Sequence, residues 1–156
     1  MTVGQYYQYV EALATEHVYI RHTENEQHFF RGELEDFYMG LRNKVHFPAL
    51  IAESYELSFD ADSETRETSF IVVCDYKERK DWQRVYAAMD FCETIGDEIL
   101  RRMMSDAEAG KICAELEPIS AVPVLDEQHL YAGMRYTIRV GCPFDYDVDN
   151  EKWNDL

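Results

Sequence analysis

Apolar side chains recur at helical spacing through the first fifteen residues, at Val3, Tyr6, Tyr7, Val10, Leu13 and Ala14, with Gln5, Gln8 and Glu11 on the other side. That stripe predicts a helix over about Thr2 to Thr15. The pattern returns at Leu34, Phe37, Tyr38, Leu41 and Val45 and predicts a second helix from about Glu33 to Lys44. Glu33, Glu35 and Asp36 suit its positive start, and Arg42 and Lys44 suit its end. Gly40 weakens it by about 1 kcal/mol relative to Ala. The stretch between, His17 to Gly32, is polar and aromatic without a period and reads either as an extended loop or as a continuation of the first helix.

Phe47-Pro48 then turns the chain extended, because proline disfavours helix at the residue before it. From Ala49 to Phe59 the period becomes two: Ala49, Ile51, Tyr55, Leu57 and Phe59 alternate with Ala52, Ser54, Glu56 and Ser58, the pattern of a half-buried strand. Residues 60–65 are a polar connection. Thr68 to Tyr76 follows as a strand whose centre, Phe70-Ile71-Val72-Val73-Cys74, is apolar on both faces and belongs in the middle of a covered sheet.

Asp81 is the N-cap of the longest helix, which runs to about Met104. Its stripe is Trp82, Val85, Met89, Cys92, Gly96, Ile99 and Met103, with Asp97–Arg101 and Glu98–Arg102 as i,i+4 ion pairs on the wet side. The helix stops within Ser105–Gly110. Lys111 to Val124 is a strand interrupted by Pro118 and Pro123, which places it at a sheet edge. The last strand alternates Ala132, Met134, Tyr136, Ile138, Val140 and Cys142 with Gly133, Arg135, Thr137, Arg139 and Gly141, so one face is core and the other carries cations. The result is one α+β domain over residues 1–156, ordered α-α-β-β-α-β-β: a mainly antiparallel four-stranded sheet packed by one long helix, with N-terminal helices. Residues 145–156 read as a mobile acidic tail.

Composition narrows the function. With 15 Lys+Arg against 31 Asp+Glu the chain carries a net charge of −16, which argues against sequence-independent nucleic-acid binding. A hydrophobic share of 46% argues against an acidic disordered chain. No apolar run approaches the roughly 20 residues of a membrane span, and the N-terminus has no basic region followed by an apolar core, so secretion is not expected. Cys74, Cys92, Cys113 and Cys142 form no CxxC pair, and the first three sit in apolar segments, as buried thiols of a reducing compartment do.

Candidate chemistry is sparse. His17, His22 and His28 lie close in sequence, but their spacings match neither HxxxH nor HxH, and no cysteine pair completes a zinc set. There is no GxSxG, GxxxxGK[ST] or GxGxxG. A Cys–His dyad would have to assemble in space. Asp60, Asp62 and Glu64 lack the glycine and the twelfth-position Glu of a calcium loop, position 71 being Ile. Glu115 and Glu117 share a strand face and read either as a solvated face or as the acid–base pair of a cleft. No catalytic, cofactor or metal residue is assigned.

What remains is surface. Arg135 and Arg139 lie on the polar face of the last strand, and they serve either a head-to-tail contact with an acidic patch of another copy or an internal pairing with Glu115, Glu117 or Glu53. The tail, with Asp145, Asp147, Asp149 and Trp153, reads either as a second contact or as a segment folded back on its own domain.

The order of elements from Phe47-Pro48-Ala49-Leu50-Ile51-Ala52-Glu53, through the Trp82–Met104 helix, to Leu130-Tyr131-Ala132-Gly133-Met134-Arg135-Tyr136-Thr137-Ile138-Arg139-Val140 resembles that of small phage tail-terminator and tail-completion proteins. The helix at 33–44 and the aromatic stretch before it are additions to that group's short leader. The resemblance implies a non-enzymatic structural protein that forms a homo-oligomeric ring on a tail tube. It would contact other tail and head proteins, and sit in the bacterial cytoplasm during assembly or in the virion. An acidic lumen would let DNA slide. The alternatives are an acidic inhibitor or immunity protein covering a basic partner, and a small hydrolase built on Glu115, Glu117 and a histidine.

Overall fold

The computed structural model describes residues 1–34, 37, 45–112, 115–144, 147 and 150–152. Among them are two α-helices, α1 (Val3–Glu16) and α2 (Trp82–Glu108), and six strands. The strands are β1 (Phe29–Arg31), β2 (Ala49–Ala52), β3 (Glu56–Phe59), β4 (Ser63–Asp75), β5 (Glu115–Asp126) and β6 (Tyr131–Pro143). A short 3-10 turn covers Asn150–Lys152. The class is α+β, but the sheet has six strands rather than four and is mixed. Its order is β1-β2-β4-β6-β5, with β1 parallel to β2 and β3 paired to β4.

The additional strands have separate causes. β1 is three residues long, and Phe29 and Phe30 are both buried, on opposite faces, so it offers no alternation to read. The strand expected over Ala49–Phe59 divides in two. The Thr68 hydroxyl lies 3.1 Å from the carbonyl of Glu53 and 3.3 Å from that of Ser54, drawing both out of a ladder. All four residues of β2 are buried, whereas all four of β3 are exposed. β2 and β3 thus lie end to end on the same edge of β4, at residues 70–73 and 64–67. β4 also begins earlier than the polar connection implied, at Ser63, with only Asp60-Ala61-Asp62 left as the hairpin turn.

One sheet face is covered by both helices. Tyr6, Val10 and Leu13 of α1 and Cys92, Ile95, Ile99 and Met103 of α2 pack on Leu50, Phe70, Val72, Met134 and Ile138. Each large apolar side chain so buried contributes about 1.5–3 kcal/mol. α1 starts on a capping box formed by Thr2 and Gln5, and Asp81 caps α2 by accepting from the Arg84 N–H. Gly96 is required where α2 crosses β6, because a Cβ there would lie 2.1 Å from the Tyr136 ring. That ring stacks on Phe70 with centroids 5.0 Å apart, and its hydroxyl lies 2.8 Å from Asp97 and 2.9 Å from the Glu93 carbonyl.

Two details of α2 differ from expectation. Trp82 lies off the buried stripe and is exposed. Glu98 pairs with His17 rather than Arg102, which turns instead to Asp106 and Glu16; Asp97–Arg101 forms as expected at 3.7 Å.

Among the described residues the opposite face is covered only at one end, where Phe30, Ile51, Ile71, Val73 and Tyr131 meet Phe37, with Leu34, Val45 and Phe47 beside them. The helix expected over 33–44 lies outside the described residues except at 33, 34 and 37. Residues 18–28 are a loop rather than a continuation of α1. β5 is the edge strand anticipated from its prolines, with a bulge between Pro118 and Ser120. Cys74, Cys92 and Cys142 are buried free thiols, and Cys113 lies outside the described residues.

Candidate functional site

Antiparallel register puts Arg135, Thr137, Arg139 and Gly141 of β6 on the same face as Ile71, Ser69, Glu67 and Thr65 of β4. Toward the start of β4 this face is polar and, among the described residues, uncovered. Two concavities open on it. The larger, about 680 Å³, is lined by Asp62, Ser63, Thr65, Glu115, Glu117, Arg139, Gly141, Cys142 and Pro143. The smaller, about 320 Å³, is lined by Glu33, Glu53, Ser54, Tyr55, Glu56, Glu67, Thr68, Ser69, Arg135 and Thr137. Carboxylates outnumber cations in both.

Both arginines are held within their own chain. Arg139 sits between Glu117 at 3.2 Å and Glu67 at 3.3 Å, all three largely exposed, so the triad adds little stability. Arg135 pairs with the buried Glu53. Burial pushes the Glu53 carboxyl above the ordinary carboxylate range; Arg135 opposes that, nearby Glu33 reinforces it, and the balance stays upward. A carboxyl raised in this way favours the fold below its unfolded pKa, and that contribution is lost as pH rises through the folded value.

Arg135→Met therefore has a pH-dependent cost. It removes the counter-charge of Glu53 and is expected to cost about 2 kcal/mol at pH 7.5, below the figure for a fully buried pair because Arg135 is 41% exposed. The cost shrinks in acid as Glu53 protonates. Urea unfolding at neutral and at acid pH checks this, and an equal cost at both would contradict it.

The tip of the sheet is apolar as well as acidic. Phe59 is 59% exposed and meets Phe144 edge-on at 5.1 Å, and Leu57 is also exposed. On β5 the exposed apolar side chains are Ile119, Val122 and Leu125. Pro118 and Pro123 interrupt the outer edge of β5, which discourages simple strand addition there. The surface thus favours contact through faces and tips over extension of the ladder.

The other sequence candidates do not converge. Among the described residues the Glu115/Glu117 concavity has no histidine in its lining. His17 binds Glu98 at 2.8 Å, His28 donates to the Pro48 carbonyl at 2.8 Å, His22 accepts from the His28 N–H at 3.1 Å, and His129 binds Asp126 at 2.8 Å. Among the described residues no group of three or more His, Cys, Asp or Glu is placed to hold a metal ion, and no helix is long and apolar enough to cross a membrane. Contact with Cys74 and burial push the Cys92 thiol far up, which suits packing and not nucleophilic attack. Asp147 is exposed, while Asp145, Asp149 and Trp153 lie outside the described residues.

Sequence reasoning missed Asp62, Glu67 and the Leu57/Phe59 tip. The signal for Glu67 was the β4–β6 register, which sets it opposite Arg139. A scan against protein-family models finds no match to the chain, and a search of curated proteins finds no matching sequence.

Proposed function

We propose that this chain is a non-enzymatic assembly protein, a subunit that joins copies of itself into a ring in the manner of phage tail-terminator and tail-completion proteins. The observation that carries the reading is the outer half of the sheet, which none of the described residues covers. There β5 and the paired ends of β4 and β6 present an acid-lined concavity of about 680 Å³, while Leu57 and Phe59 are exposed on the other face of the β3–β4 hairpin. A sheet end that is charged on one face and exposes apolar side chains on the other suits protein contact. Within a ring, a charge of −16 on each subunit would repel DNA and let it pass. The remaining partners are other tail and head proteins, met in the bacterial cytoplasm during assembly.

Light scattering after size exclusion, from tens of micromolar to near millimolar protein and at low and high salt, tests the reading. A discrete multimer that forms with concentration supports it, and a monomer at every concentration contradicts it. The acid-lined concavity also fits an acidic inhibitor of a basic protein. That reading predicts a monomer which binds a basic partner with a strongly salt-dependent on-rate.

A further inference from the structure

The two ends of the β4–β6 ladder are unlike, and they complement each other. At one end β4 runs out at Asp75 into the exposed run Lys77-Glu78-Arg79-Lys80. Lys77, Arg79 and Lys80 form no ion pair among the described residues. Arg31, Arg66, Arg84, Arg102, Arg135 and Arg139, in contrast, each hold a carboxylate. Beside that run the first turns of α2 expose Trp82 and Tyr86, with ring centroids 6.1 Å apart.

At the other end lies the concavity, where Asp62 and Glu115 make no ion pair among the described residues; Leu57 and Phe59 of the β3–β4 hairpin are exposed on the opposite face of the sheet. β4 spans 13 residues, which separates the two ends by about 40 Å. The cations beside aromatic rings at one end and the carboxylates at the other, none of them in an ion pair among the described residues, cannot meet within one copy. They can meet between copies, and a contact between two different patches repeats head to tail, closing into a ring where the rotation between copies allows it.

We propose that copies of this chain join head to tail, the Lys77–Lys80 run with Trp82 and Tyr86 of one copy seated against the acid-lined concavity of the next. The inference rests on the self-assembly reading above and supplies its interface. It moves the cationic half of the contact from Arg135 and Arg139, which are engaged internally, to the end of β4. Charged partners at an interface rim are screened over about 8 Å at physiological salt, so the contact weakens as salt is raised.

Two charge-reversed variants test it. One carries Lys77→Glu, Arg79→Glu and Lys80→Glu; the other carries Asp62→Lys and Glu115→Lys. All five side chains are exposed, and circular dichroism verifies that both variants are folded. Each variant alone is expected to remain monomeric at ten times the concentration at which the parent associates. An equimolar mixture is expected to recover association, because the reversed run of one fits the reversed concavity of the other. The second variant separates docking from bulk repulsion: it brings the net charge closer to neutral, so repulsion alone predicts tighter association and docking predicts weaker. Undiminished association of both variants, or a mixture of folded variants that stays monomeric, overturns the head-to-tail contact while the parent's own association keeps the ring reading intact. A parent that never associates removes both.

Discussion

Gly133→Ala is expected to destabilise the protein by about 3 kcal/mol or more, at the upper end of what overpacking costs. A Cβ at Gly133 would lie 1.9 Å from the Val72 carbonyl oxygen and 2.9 Å from Val73 Cα. Those are backbone atoms of the central strand, and Val72 and Val73 are fully buried. Relief would require moving β4 away from β6 along a ladder that pairs Ser63 with Pro143 at one end and Asp75 with Tyr131 at the other. At roughly 2–4 °C per kcal/mol for a chain of this size, the melting temperature should fall by about 6–12 °C. Gly4→Ala is the control: nothing lies within 4 Å of its added Cβ, and its place in α1 favours alanine. Melting curves by circular dichroism decide the matter, and a Gly133→Ala protein that melts within a degree or two of the parent would refute the packing described.

Asp106→Asn is expected to cost about 2–4 kcal/mol at neutral pH, and the cost should fade in acid. Asp106 sits in the last turn of α2, where the helix dipole disfavours a negative charge. It is nevertheless buried, with its side chain only 5% exposed. Burial alone would raise its pKa; donors from Lys111 at 3.2 Å, Arg102 at 3.1 Å and the Tyr9 hydroxyl at 3.1 Å outweigh that and hold it below the ordinary carboxylate range. Through Tyr9, and through Arg102 and its contact with Glu16, this carboxylate ties the end of α2 to α1. The sign follows from the lowered pKa. Its stabilisation is present above the unfolded value near 3.8 and is lost as pH falls through the folded value. The gap between parent and variant should therefore be widest at neutral pH and narrow in acid, as pH falls from the unfolded value toward the lowered folded one. Urea unfolding across that range measures it, and a gap independent of pH would show that the charge of Asp106 is not what matters.

Much of the fold was legible because local signals and burial agree. The helical stripe of α1, the Asp81 cap, the doubly apolar Phe70–Val73 centre and the strict alternation of β6 each reflect one element facing one environment. The strands that were not legible take their burial from distant chain. β2 is buried on both faces because α1 lies over one and the Phe30–Phe37 cluster over the other. β3 alternates in sequence yet is exposed throughout, because neither helix reaches it. No local period encodes either fact.

The site divides in the same way. The common face of Arg135 and Arg139 followed from period two alone, and their internal pairing with Glu53 and Glu117 was one of the two readings that this face allowed. Glu67 and Asp62 reach the concavity through strand register, which depends on where β3 turns into β4. That Lys77, Arg79 and Lys80 form no ion pair among the described residues was equally invisible, because ion pairing depends on where distant carboxylates come to lie.

Native mass spectrometry of the unmodified chain, sprayed from low salt at increasing concentration, tests the central claim most directly. Closed head-to-tail assembly predicts a single subunit number, with the monomer as the only other abundant species. A monomer alone, or an open ladder of dimers, trimers and higher species without a preferred count, would contradict it.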